Sequence, residues 1–162
     1  VITRGDYLHV ADIIKPVNDT ILIPGYEFHG GVCDRFAIVP REYITKFLRL
    51  GTGIVREPEK LLEIYNKQSW PLKCIMLLSS RLWEHISFYK PTMFTASENP
   101  PPSRFCHTMY CDTHKCYLRY RNEYRNVIKN INDNACNFIY PVSNVNWGYV
   151  DPESSQFVGK IM

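Results

Sequence analysis

The sequence predicts a single α+β domain in which an antiparallel β-sheet packs against a cluster of helices. Strand-like runs fill the first quarter of the chain, helical periodicity dominates the middle, and strand-like runs return near the end. A chain of 162 residues with 45% apolar residues is long enough to bury one core and too apolar for a disordered segment.

Three β-rich runs make up the N-terminal part of the chain. They cover residues 7–14, 19–23 and 35–39, and the segments between them are rich in Gly, Pro, Asn and Asp. Such residues favour turns, so the runs are predicted to be separate strands.

Two helices are predicted next. The first starts at Pro40 and ends near Gly51, and the second runs from Pro58 to about Ser69. In both, apolar residues recur three and four positions apart, which places them on one face of a helix. The second helix is expected to stop there because the residue before Pro71 is pushed away from helical geometry.

The remaining elements follow in order. Residues 72–80 (LKCIMLLSS) are predicted to be a buried strand, and residues 90–103 a proline-rich loop without periodicity. Residues 116–131 form the strongest helical pattern of the chain. Residues 136–142 and 148–151 are expected to close the sheet as further strands.

Charge and cysteine content limit the possible functions. A net charge of +3 is too small for a general duplex-DNA binder, and the basic run at residues 119–125 is interpreted as a solvated helix face. Cys74 lies in an apolar run and is predicted to be a buried thiol, so reduced cysteines and an intracellular protein are expected. No apolar run is long enough to span a bilayer. The first residues resemble neither a signal peptide nor a natural start, so residues 1–162 are expected to be a domain of a longer polypeptide.

One segment contains several potential metal ligands, but no metal or other cofactor is predicted. Its spacing matches no paired zinc motif, and a helix is predicted to begin within it. A zinc-stabilised interaction domain and a Cys–His nucleophile therefore remain minor alternatives. No phosphate-binding loop, dinucleotide fingerprint or nucleophile elbow occurs, so the chain is not expected to be an enzyme. The potential ligands are Cys106, His107, Cys111, His114 and Cys116.

The C-terminal sequence NVNWGYVDPESSQFVGKIM resembles the end of the cap-binding domain of polymerase basic protein two, a subunit of the orthomyxovirus RNA polymerase. The similar positions are residues 146–148 (NWG), 151–152 (DP) and 158–159 (VG). Further upstream, HKCYLRYRNEYRNVIKN, FAIVPREYITKFLRLGTG and PGYEF resemble family segments in the same order. The divergence from the influenza pattern is similar to that of a thogotovirus-type relative.

The resemblance implies a module that binds the 7-methylguanosine cap of host RNA for cap-snatching transcription in the host nucleus. The implied partners are capped host RNA and the other polymerase subunits, without a membrane. Methylation makes the purine cationic, so aromatic rings on its faces contribute stacking and cation–π attraction. A carboxylate accepts hydrogen bonds from the guanine edge, and Lys or Arg meets the triphosphate.

The resemblance also implies particular site residues. Trp70, at the junction before Pro71, corresponds to one of the two aromatic residues that clamp the cap. Glu27 corresponds to the carboxylate on the guanine edge. Arg41 falls near a basic contact of the same ligand, and either His114 or Lys115 near another at the start of the long helix. From the residues alone, Trp70 is equally well explained as a core aromatic and Glu27 as a solvated turn carboxylate.

The second clamp aromatic has no counterpart, because Ile23 occupies its position. Either Tyr26 or Phe28 replaces the missing ring, or the clamp is half built. Loss of one aromatic ring weakens the binding free energy for the cap by a few kcal/mol, on the order of a hundredfold in affinity. The alternative function is therefore a degenerate cap-binding fold that serves as a structural or interaction domain of the polymerase.

Overall fold

Two β-sheets, of three and four strands, carry most of the core in a computed structural model of the chain. The structure describes residues 1–3, 5–25, 35–68, 72–99, 109–118, 120–142, 145–146 and 160–161. Within these residues, helices follow the first strands and strands return afterwards, which confirms the α+β prediction.

The three-stranded sheet has the order β3–β5–β9. The strands are β3 (Ile21–Pro24), β5 (Ile86–Tyr89) and β9 (Ile139–Pro141). Strand β3 runs parallel to β5, with Ile23 opposite Phe88, and β9 is antiparallel to β5. All four residues of β3 are buried, as in strands covered on both faces. Parallel neighbours need a long crossover, and the helices between β3 and β5 supply it.

The four-stranded sheet is antiparallel in the order β2–β6–β8–β7. Two short two-stranded ladders, β1–β4 and β10–β11, complete the described strands. The strands outside the three-stranded sheet are β1 (Ile2–Thr3), β2 (Tyr7–His9), β4 (Phe36–Ala37), β6 (Met93–Ser97), β7 (Met109–Cys111), β8 (Cys116–Leu118), β10 (Val145–Asn146) and β11 (Lys160–Ile161).

Most of the helices connect the first strands to β5. The helices are α1 (Ile44–Leu48), α2 (Thr52–Arg56), α3 (Pro58–Gln68), α4 (Leu72–Ser79) and α5 (Arg121–Asn132), with a short 3-10 helix at Trp83–His85. Helix α3 confirms the start predicted at Pro58. The helix predicted from Pro40 begins only at Ile44, because the backbone first makes a turn closed by the Tyr43 N–H on the Pro40 carbonyl at 3.0 Å. Gly51 marks a boundary between two short helices, since it precedes α2 directly.

The prediction of a strand at residues 72–80 was wrong, because this run forms α4. Cys74, Ile75 and Leu77 are all fully buried, and Cys74 and Leu77 pack in one cluster with Ile21 and Phe88 of the three-stranded sheet. A helix enclosed in this way is apolar on most faces, so its sequence resembles that of a buried strand. The prediction that Cys74 is a buried thiol is confirmed.

Two further boundaries differ from the prediction. The proline-rich segment 90–103 contains β6, an interior strand whose first three residues are buried. The strongest helix begins at Arg121 rather than at Cys116, because Cys116 and Leu118 pair with β7 and point inward as part of β8. Strand β9 confirms a closing strand within residues 136–142, whereas residues 148–151 lie outside the described residues.

None of the helices in the described ranges is both long enough and apolar enough to cross a bilayer.

Candidate functional site

The described residues include three of the seven predicted cap contacts. Arg41, His114 and Lys115 are described. The other four lie outside the described residues, although the elements that flank them in the chain, β3 and α4, are described. Those four residues are Tyr26, Glu27, Phe28 and Trp70.

The glycine that precedes the Tyr-Glu pair is held tightly against the three-stranded sheet. The Gly25 N–H donates to the Tyr89 carbonyl at 2.9 Å, and its carbonyl accepts from the Tyr140 hydroxyl at 3.2 Å. A Cβ at Gly25 would lie 1.5 Å from the Tyr140 hydroxyl oxygen, so glycine is required by close packing. Burial raises the pKa of Tyr140 well above its ordinary value, which keeps the phenol protonated as the donor of this bond.

Ile23, at the position of the missing clamp aromatic, is a core residue. Its exposed fraction is 0%, and it belongs to the cluster formed by the three-stranded sheet and α4. It is therefore sealed in the interior and offers no face to a ligand.

This core cluster connects the chain segments that lead to two of the predicted contacts. Ile23 of β3 and Cys74 of α4 are both members of it. Glu27 follows Ile23 by four residues, and Trp70 precedes Cys74 by four residues. The cluster also buries Phe88, which pairs with Ile23 across the sheet.

A buried ion pair fixes the chain where β4 is about to begin. Arg35 Nη2 contacts Glu123 Oε1, with the two side chains 14% and 0% exposed. Glu123 Oε2 accepts from the Thr95 N–H at 2.9 Å, and Arg35 Nη1 donates to the Thr95 hydroxyl at 3.3 Å. The guanidinium also lies over the Tyr120 ring, 4.6 Å from its centroid, which adds cation–π attraction.

This pair was not predicted from the sequence, although one signal for it was present. Glu123 lies four residues before Val127, within the apolar stripe of α5, where a carboxylate needs a partner. Nothing in the sequence identified Arg35 as that partner, since 88 positions separate the two residues.

Arg41 lies in the turn between β4 and α1 and is exposed. Two residues further on, Tyr43 stacks on His85 with ring centroids 4.4 Å apart, and the Tyr43 hydroxyl lies 3.1 Å from His85 Nδ1. The turn is thereby attached to the cluster of α4 and the three-stranded sheet. Arg41 is thus free to meet an anion in solvent.

His114 and Lys115 lie in the turn that joins β7 to β8. The half-buried His114 ring is 5.6 Å from Phe94 and 6.0 Å from Tyr124 between centroids. Lys115 is exposed and adopts a left-handed backbone with φ of 50°. Lys115 is thus the more accessible of the two alternative contacts. No hydrogen bond, ion pair or ring contact among the described residues joins this turn to Arg41.

The cysteines beside His114 are poor candidates for a nucleophile. Cys111 and Cys116 are direct partners across the β7–β8 ladder, and both are buried free thiols. Burial, with Cys111 nearby, raises the pKa of Cys116, so the thiol stays protonated. The hydrogen bond with Cys111, followed by burial, raises the pKa of Tyr124. Within the described ranges no group of three or more residues could hold a metal ion, and Cys106 and His107 lie outside those ranges.

Comparison with protein-family models, with curated proteins and with solved structures found no significant match to this chain.

Proposed function

We propose that this chain is the cap-binding module of a viral RNA-dependent RNA polymerase, and that it presents the 7-methylguanosine cap of host RNA for cap snatching. Trp70 stacks on the cationic purine, and Glu27 accepts hydrogen bonds from the guanine edge. Arg41 and Lys115 supply positive charge for the triphosphate. The module binds and does not catalyse.

The proposal depends first on the order of the similar segments. Four stretches of sequence resemble family segments, and they follow one another in the family's order along most of the chain. A single short motif of this kind would carry little weight, whereas their common order is more informative.

The packing of β3 against α4 is the structural observation that supports the proposal most directly. Ile23 and Cys74 belong to one buried cluster. The proposed carboxylate and the proposed aromatic each lie four residues from that cluster along the chain. Two segments anchored on one rigid core are suited to holding two sides of one ligand, because little ordering is then required on binding.

Calorimetric titration of the purified chain with 7-methylguanosine triphosphate and with guanosine triphosphate tests the proposal. Trp70→Ala is expected to weaken binding of the methylated ligand roughly 5- to 150-fold, because stacking on an aromatic contributes about 1–3 kcal/mol per base. Trp70→Phe retains a ring and is expected to keep most of the affinity. Identical affinities of wild type, Trp70→Ala and Trp70→Phe would refute the stacking role.

The second candidate function is a degenerate cap-binding fold used for contacts within the polymerase. The burial of Ile23 favours it, because a residue sealed in the core cannot contribute to a second face of a clamp. Val55 and Leu48 are 84% and 66% exposed, which offers apolar surface for such contacts. This function predicts no preference for the methylated ligand, together with loss of subunit association in a Val55→Asp variant.

A further inference from the structure

The second feature that suggests a ligand is a basic cavity formed by the four helices between β4 and β5. Its volume is about 320 Å³, and it is bordered by α1, α2, α3 and the end of α4. Ligand pockets typically have volumes of about 300–1,000 Å³, so the cavity is at the small end of that range. Its charged lining residues are Lys46, Arg49, Arg56, Glu57 and Lys60.

The charge of the cavity is strongly one-sided. Four cations face a single carboxylate, which leaves an excess of +3. The whole chain also has a net charge of +3, so the remaining residues sum to zero. The excess positive charge at this cavity therefore equals the net charge of the whole chain.

Most of these cations lack an internal partner. The one carboxylate is already engaged, since Glu57 Oε2 accepts from Lys60 Nζ at 2.8 Å. Lys46, Arg49 and Arg56 make no ion pair with any described residue. Both arginines are exposed, so their guanidinium groups can turn toward a ligand in the cavity.

Helix capping accounts for only part of this arrangement. Lys46 and Arg56 lie in the last turns of α1 and α2, where positive charge is favourable. That effect acts on each helix separately and does not require the cations of three helices to border one space. Their mutual repulsion opposes such an arrangement, and a bound polyanion would relieve it.

The chemistry of the lining indicates which anion fits. Guanidinium groups bind phosphate oxygens through paired hydrogen bonds. The ammonium groups of the lysines add positive charge without a fixed hydrogen-bond geometry. No aromatic side chain lines the cavity within the described residues, so it offers no surface on which a base could stack. The cavity is therefore suited to the backbone of a nucleic acid rather than to its bases.

We propose that this cavity binds the phosphodiester backbone of single-stranded RNA, independently of sequence. The choice of RNA rests on the proposed function, since a capped transcript continues from its cap as single-stranded RNA close to the module that holds the cap. Binding at the cavity itself does not require a cap.

The test uses an uncapped, 3′-labelled oligouridine of about 12 nucleotides and fluorescence anisotropy between about 50 and about 200 mM salt. Arg49→Gln/Arg56→Gln removes two phosphate contacts. Each contact on a single strand contributes about 0.7 to the slope of log affinity against log salt, so the slope should become about 1.4 shallower. Arg121→Gln/Arg125→Gln, on exposed arginines of α5, is the matched control and is expected to retain the native slope. Circular dichroism of both variants confirms folding.

Several results would overturn the proposal. The first is absence of RNA binding by the wild type, and the second is an equal decrease of the salt slope in both double variants. The third is displacement of the RNA by inorganic tripolyphosphate at equal phosphate concentration. The last result would indicate a site for small polyphosphates. Failure of cap binding is distinguishable, because the oligouridine has no cap. The Arg49→Gln/Arg56→Gln variant should also bind 7-methylguanosine triphosphate as the wild type does.

Discussion

Removal of the guanidinium from the buried Arg35–Glu123 pair should destabilise the fold strongly. Arg35→Met keeps the apolar stem of the side chain but leaves a fully buried carboxylate without its cation. Breaking a buried ion pair from one side costs about 3–5 kcal/mol, a large part of the roughly 5–15 kcal/mol that stabilises a typical domain. For a chain of this size the melting temperature should fall by about 6–20 °C.

Matched variants distinguish the stability contribution of the buried pair from that of an exposed ion pair. Glu123→Gln retains an oxygen for the Thr95 N–H and leaves Arg35 able to reach water, so it should cost less than Arg35→Met. The double variant Arg35→Met/Glu123→Gln should be more stable than Arg35→Met alone, because no unpaired charge remains buried. Lys67→Met is the control, since it breaks an ion pair to Glu63 whose side chains are 68% and 65% exposed.

Urea denaturation followed by circular dichroism measures these differences. A loss of unfolding free energy in Arg35→Met no larger than that in Lys67→Met would show that the buried pair stabilises the fold no more than a surface pair does. Simple addition of the effects of Arg35→Met and Glu123→Gln in the double variant would show that the two side chains are not coupled.

Three further predictions concern packing, thiol access and pH. Gly25→Ala should lower stability by about 1–3 kcal/mol or more in thermal denaturation, because a tyrosine hydroxyl already occupies the space for a Cβ. Gly51→Ala, with nothing near the added atom, should lower stability far less. Equal losses of stability in the two variants would contradict the close packing of Tyr140 against Gly25. In the native protein, alkylation read by mass spectrometry should label the half-buried Cys136 before the fully buried Cys74, and equal rates would show that α4 is open to solvent. Burial lowers the pKa of His9 in the folded protein below the ordinary histidine pKa of about 6.5. The unfolded chain therefore binds more protons near that pH, and stability should fall as the pH drops from about 7.5 to about 5.5. His9→Gln should reduce that fall, and an unchanged pH dependence would rule out His9 as its source.

Local sequence patterns predicted the elements whose signals are short-range. Pro58 is a strong helix start, and the run at residues 19–23 is rich in β-branched and apolar residues, so α3 and β3 were expected near their observed positions. In both elements, the residues that favour turns lie at the ends, and the pattern between them indicates the same element.

The errors arose where tertiary contacts decide between patterns. Helix α4 and a buried strand have the same apolar composition, and only packing against the three-stranded sheet distinguishes them. Cys116 continues the periodicity of α5, but its pairing with Cys111 across the ladder draws it into β8. Strand β6 lies between proline-rich stretches that indicated a loop, and its two strand neighbours are distant in sequence.

The proposed site and the contacts that support it were the least predictable features of the chain. The partners of Glu123 and the close approach at Gly25 involve residues more than twenty-five positions away in the chain. The basic cavity draws on four consecutive helices, and no single one of them is unusually basic. A resemblance gave the identities of Glu27 and Trp70, whereas the structure identified the common core from which their segments extend.

The most direct test of the central claim is the ratio of the dissociation constants for guanosine triphosphate and 7-methylguanosine triphosphate, measured by calorimetry on the wild-type chain. The two ligands differ by one methyl group and the positive charge that it creates. Cation–π attraction in a desolvated site contributes about 2 kcal/mol, so cap recognition predicts at least roughly tenfold tighter binding of the methylated ligand. Equal constants for the two ligands would contradict cap recognition.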